Sequence, residues 1–431
     1  MTAKNLICAG LALALLAACG EEDIILPGER FDLRESPAFV NQSLPVSIPA
    51  ARANADWTHR NGGPDHLIRH PALGSTLAPV FVSPIGEGDS RRARITADPV
   101  VAGGVVYTLD ARATVTATST AGQTIWTRNL TPGRDNPTDA SGGGVSVSGG
   151  QVYVTTGFGE ISALDTATGR VNWVQDLDAP AMSPPTIRGN LVYLVARDST
   201  AWALETSTGR IRWQVNSNPS TANFGSGAAP AVNGDIAIFP FPSGEVIATF
   251  PEGGLRRWSS VVSGDRLGRA AALVTDIASD PVIDGNRVYV GNFGGRLAAF
   301  DIFNGDRLWT ASEGAISPVW PVGNAVFLIN DLNQLMRLDA ASGNPVWRIA
   351  LPALTEERSA RQKRVVGHYG PVLAGGRLIV ASSDGLIRQF DPASGTLVGT
   401  VEIDGGAASH PVVAGQTLYV VSKTGQLHAF R

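Results

Sequence analysis

Past residue 19 the chain has no cysteine, because both of its thiols, Cys8 and Cys19, lie among the first twenty residues. That excludes a disulfide framework, a CxxC redox pair and a thiolate metal site from the remainder, so any fold must hold without covalent staples. Charge is scarce too, at 17% of residues, and the balance is −4, becoming −5 once Lys4 leaves with the leader. No basic surplus is available to attract nucleic acid. HExxH, GxSxG and P-loop patterns are all missing. The six histidines, His59, His66, His70, His368, His410 and His428, are scattered. His66 and His70 stand four apart, but in a Gly/Pro-rich stretch without helical period, so converging metal ligands are not expected. Gly142-Gly143-Gly144 is followed by no helical pattern and reads as a turn or a small-residue approach to an axis rather than a phosphate cradle.

Glycine (49) and proline (27) are abundant, which suits many short strands joined by tight turns. Before them comes a leader. A short n-region ending at Asn5 precedes an apolar run from Leu6 to Ala18, too brief to cross a bilayer. The junction Leu16-Ala17-Ala18-Cys19-Gly20 resembles a bacterial lipobox, which implies lipid attachment at Cys19 after cleavage of residues 1–18. An ordinary secretory signal with an incidental cysteine is the competing reading. Two or three acyl chains hold a soluble domain stably at a membrane, where one does so only marginally. Gly20 is not the aspartate associated with inner-membrane retention, so the resemblance further implies sorting to the outer membrane. Residues 19–56 are polar and Pro-containing with no sustained period, the composition of a flexible tether.

From Trp57 to Arg431 one unit recurs eight times. Its form is Pro-apolar-x-x-Gly-x-x-apolar-Tyr-apolar, then Gly-x-apolar-x-Ala-Leu-Asp, then Thr-Gly-x-x-x-Trp. The second repeat shows it most fully, in Val152-Tyr153-Val154, Gly159 through Asp165, Thr168-Gly169 and Trp173. The terminal tryptophans, at 126, 173, 213, 258, 309 and 347, are spaced by 47, 40, 45, 51 and 38 residues, enough for about four short strands each. Alternation such as Leu191-Val192-Tyr193-Leu194-Val195 makes amphipathic strands. Asp165, Asp301, Asp339 and Asp391 fall where the side chain can hold the backbone of a turn, with a glycine after them for positive φ. The tryptophans are then placed to pack between neighbouring units. These features predict an all-β fold, an eight-bladed β-propeller of four-stranded antiparallel blades. The eighth repeat stops at Arg431, before its outer strand. The apolar alternation of 77–83 predicts that an N-terminal strand completes that blade and closes the ring.

The segment Ala163-Leu-Asp-Thr-Ala-Thr-Gly-Arg-Val-Asn-Trp173 matches the tryptophan-docking motif of pyrroloquinoline-quinone (PQQ) type propellers, which include dehydrogenases and non-enzymatic proteins. Adding the lipobox, the tether, the Trp57…Gly62-Gly63 entry and the single-propeller length, the whole chain resembles the BamB family of outer-membrane lipoproteins. The resemblance implies a periplasm-facing, non-catalytic scaffold that binds the POTRA domains of BamA within the Bam complex, without cofactor or metal. It places the partner patch on the loops entering the fourth and fifth repeats, here around Asn223, Phe224, Asp276 and Ile277. Asp276 matches one of two acidic positions of the family's loop, while Ala278 occupies the other, and the fourth-repeat loop lacks the family's arginine. Two alternatives stay open. A PQQ-dependent dehydrogenase would need a catalytic aspartate and a calcium site, whereas the aspartates here recur at equivalent turns. A ligand-binding sensory propeller would work at its axial funnel. The insertion between Trp347 and Pro371, with Arg358, Arg361, Lys363 and Arg364, reads either as a solvated loop or as a contact for an acidic partner or lipid head groups.

Overall fold

The computed structural model describes residues 39–181, 183–220, 227–264, 266, 276–354 and 365–431. The expected leader (1–18), Cys19 and the basic insertion at Arg358 to Arg364 lie outside the described residues. The body that carries the repeats runs from Asn41 to Arg431. Its strands form eight four-stranded antiparallel sheets, the blades of the expected propeller. Blades 1 to 7 span 100–129, 143–176, 186–216, 231–261, 282–311, 320–350 and 368–402. Blade 8 joins 412–430 to Pro79–Pro84, which pairs antiparallel with the last strand, Gln426–Phe430. Ring closure by an N-terminal strand is therefore observed, within two residues of the expected span.

The middle strands are not amphipathic as the expected alternation implied: Leu191–Val195 is buried along its whole length, because both of its faces pack between neighbouring blades, and its residues are accordingly apolar throughout. In blade 2, Val154 lies opposite Ser162 and Ala163 opposite Trp173. The aspartates build the outer turn: Asp165 Oδ1 accepts from Thr168 N at 2.9 Å, and Asp339 Oδ1 from Ser342 N at 2.9 Å. The tryptophan of each of blades 1 to 6 then docks on the turn of the next. Trp126 Nε1 donates to Thr166 O at 2.9 Å, Trp173 to Thr206 O at 2.9 Å, and so on to Trp347, which donates to Pro392 O at 3.2 Å. Beneath each ring lies the turn glycine. At Gly169, with φ +67°, an added Cβ would stand 2.6 Å from Trp126 Cε3, so the position needs glycine for close approach as well as for conformation.

The same logic explains why two blades lack the tryptophan. Blade 8 presents no third-to-fourth-strand turn, because its outer strand arrives from the N-terminus, so a ring on blade 7 would have nothing to dock on. Blade 7 has Gly399 there, paired with Gln389. The seam is held instead by Arg377, which donates to Gln389 Oε1 at 2.6 Å and to the carbonyls of Gly74 and Ser75. On the closing strand Phe81 replaces the indole: it packs over Gly122 of blade 1 and lies 6.4 Å from Tyr419.

Part of the expected tether is fixed to the propeller. Asn41 exchanges hydrogen bonds with the backbone of Arg348 on the outer strand of blade 6, and Gln42 N donates to Val346 O at 3.0 Å. Buried Arg337 of the same blade donates to the carbonyls of Leu44 and Pro45, and Asn324 Oδ1 accepts from Ser47 N at 3.1 Å. Residues 41–56 carry no period of their own, which is why they read as a tether. They are ordered by side chains of distant blades that satisfy their backbone groups.

Candidate functional site at the axial channel and rim

The innermost strand of each blade has an unpaired edge facing the propeller axis. Residues 54–71 run around that axis and contact each blade at its inner strand or at the turn that leaves it. Asn54 O accepts from Gly415 N of blade 8, and Trp57 exchanges two backbone hydrogen bonds with Val101 of blade 1, at 2.7 and 2.8 Å. Thr58 O accepts from Val147 N of blade 2, and His59 Nε2 from Ile187 N of blade 3, each at 3.0 Å. Pro64 O serves Val232 of blade 4 and Asp65 O serves Ile283 of blade 5. Arg69 O accepts from Trp320 Nε1 of blade 6, and Pro71 O from Gly375 N of blade 7. The circuit thus touches all eight blades. Trp57 is buried beside Trp320, their rings 6.2 Å apart.

From this circuit the Arg60 side chain extends along the axis. Its Nε lies 3.0 Å from Asp98 Oδ2 and its Nη1 3.3 Å from Asp280 Oδ2, with side-chain exposures of 9% for Arg60, 8% for Asp98 and 0% for Asp280. Asp98 also accepts from His410 Nδ1 at 3.0 Å, and His410 Nε2 meets Ser317 Oγ at 3.0 Å. Burial alone would raise the Asp98 carboxyl, but His410 and Arg60 outweigh it and hold the group well below the ordinary carboxylate range. An arginine paired on two sides with carboxylates is a structural tie. Among the described residues, the turn aspartates are engaged by their own turns, and Arg60, Asp98, Asp280 and His410 by one another.

The histidines of the circuit act on backbone. His66 Nδ1 donates to Pro281 O at 2.8 Å, while His70 Nδ1 donates to Pro49 O and its Nε2 accepts from Gly376 N. Among the described residues no group of three or more His, Cys, Asp or Glu side chains could hold a metal ion.

A family model described as outer membrane protein assembly factor BamB matches residues 111–349 and again 350–431. The chain belongs to the BamB family. The BamB of Shigella dysenteriae is 31% identical over 338 residues, covering 77% of this chain and 83% of the relative. Among solved structures, BamB from Moraxella catarrhalis superposes with a TM-score of 0.64 at 19% identity, covering 83% of this chain and 98% of that one. A quinohemoprotein alcohol dehydrogenase from Comamonas testosteroni gives 0.65 at 14% identity, covering 88% of this chain and 81% of its own, a likeness of fold alone. As a member of this family of assembly factors the protein is not an enzyme.

Of the four residues proposed for partner contact, Asn223 and Phe224 lie outside the described residues. Asp276 and Ile277 are 4% and 1% exposed, and Asp276 O accepts from Phe293 N at 3.0 Å. Exposed positions flank them in the same two loops: Asn218 and Pro219 before blade 4, Ser263 before blade 5. Sequence reasoning missed Arg60, Asp98, Asp280 and His410. The available signal was a polar residue directly before the proline that opens a repeat, in Asp98-Pro99, Asp280-Pro281, Ser317-Pro318 and His410-Pro411.

Proposed function

We propose that this BamB family member is a non-catalytic scaffold, anchored to the outer membrane through lipid on Cys19 and facing the periplasm. In this reading it presents the loops entering blades 4 and 5, with Asn223, Phe224, Asp276 and Ile277, to the POTRA domains of BamA and assists β-barrel insertion. The observation that carries the reading is the axis. Where a ligand-using propeller would need an open channel, this chain places its own residues 54–71 and the paired Arg60, and the reading assigns partner contact to the rim loops instead. Divergence is expected there, since loops vary faster than blades.

Photo-crosslinkers at Asn218 and Ser263 are expected to trap BamA in intact cells. One at Phe303, 65% exposed on a turn at the opposite face, is not. Capture only from Phe303, or from none of the three in a normally expressed protein, would sink the proposed contact. The anchor has a separate readout. A Cys19→Ser chain whose partner contact has also been removed is expected in the soluble periplasmic fraction, and its persistence in the membrane fraction would remove the lipid from the account.

A further inference from the structure

We infer that Arg60 is a positioning residue for the partner face, setting the geometry of the rim loops from inside the channel. The inference rests on the scaffold reading above. One guanidinium, carried by a segment outside the blades, reaches the entry residues of five blades. Directly it holds Asp98 and the Thr96 carbonyl of the blade 1 entry, and Asp280 of the blade 5 entry. Through Asp280 it holds blade 4, because Asp280 Oδ1 accepts from Ala229 N at 2.6 Å. Through Asp98 it holds blade 8, whose His410 donates both its backbone N, at 2.8 Å, and Nδ1. His410 Nε2 extends the network to Ser317 of blade 6.

The Asp280 link matters most. Asp280 closes the loop that contains Asp276 and Ile277, and Ala229 closes the loop that contains Asn223 and Phe224. A single carboxylate therefore fixes the ends of both proposed partner loops to each other, and Arg60 fixes that carboxylate on the axis. Ion pairs this buried hold a geometry because each member would otherwise be an uncompensated charge. Arg60 touches no partner; it acts through Asp280.

The test compares the full chain with Arg60→Lys, which keeps the charge but loses the planar fork that spans both carboxylates. Hydrogen exchange and affinity for the purified periplasmic region of BamA are both measured. Amides of 227–229 and 276–280 are expected to exchange faster in the variant while the blade strands keep their protection. Affinity is expected to fall about tenfold. If Arg60→Lys does not fold, Arg60→Met with Asp98→Asn and Asp280→Asn removes the charges without leaving one unpaired, and the same two changes are expected. Unchanged exchange at both loop ends, or unchanged affinity despite faster exchange, overturns the inference. Failure of the unmodified chain to bind overturns the scaffold reading instead, and the exchange result still decides whether Arg60 orders the loops.

Discussion

A chain lacking Pro79–Pro84 is expected to lose stability more severely than any single side-chain change in the blades would cause. The strand supplies the fourth position of blade 8, where Phe81 pairs with Ala429 and Ser83 with Leu427. Phe81 alone packs on Tyr419 and over Gly122, and because it is only half-buried its removal costs less than the about 3–5 kcal/mol of a core phenylalanine. Ser83 Oγ adds a 2.6 Å hydrogen bond to Gly122 O, so the strand also ties blade 8 to blade 1. Without it the edge of Gln426–Phe430 is bare, a template for pairing with another chain. Urea unfolding is expected to show the midpoint shifted down, and gel filtration to show oligomers. The Phe81→Ala variant separates the two effects, since it keeps the strand's backbone and should stay monomeric while losing most of the side-chain contribution. An unchanged unfolding midpoint in the deletion would mean that the ring does not depend on this closure.

How much of this was legible in the sequence depended on whether a contact repeats. The Thr-Gly-x-x-x-Trp unit announces its own packing, because six tryptophans make the same contact with the next blade, and even the exceptions at Gly399 and Phe81 follow from where the ring closes. The axial circuit makes each contact once. Thr58, His59, Pro64 and Asp65 meet four different blades through backbone groups or a single ring nitrogen, and such bonds leave no periodic trace. Asn54 Nδ2 donates to Val413 O, 359 residues away, a pairing that no local pattern encodes. Arg60 was hidden for a related reason: its carboxylate partners stand beside prolines that already had an explanation as strand starts. The proposed site of partner contact rests on the family resemblance, and with Asp276 and Ile277 buried, the exposed positions in the same two loops are Asn218, Pro219 and Ser263.

The circuit's histidines make stability depend on pH in a stated direction. Burial, reinforced by nearby His66, pushes the His59 imidazolium down from its ordinary 6.5 to about 3. Its Nε2 accepts the Ile187 amide, a role open only to the unprotonated ring. Burial also lowers His66, and likewise His368 and His428. Because the folded values lie below the unfolded one, the unfolded chain takes up protons first on acidification. The contribution is therefore complete above about pH 6.5 and is lost progressively as pH falls toward the folded value. For His59 alone the loss between pH 7.5 and pH 5 amounts to about 2 kcal/mol. Asp98, held low by its partners, titrates below this window and does not mask the effect. Urea unfolding at the two pH values should show the chain less stable at pH 5 by at least that amount. His59→Gln offers Ile187 an acceptor that does not titrate, so it should be somewhat less stable at pH 7.5 yet lose about 2 kcal/mol less on acidification. A His59→Gln chain with the full acid sensitivity of the parent would show that His59 is not held neutral in the folded circuit.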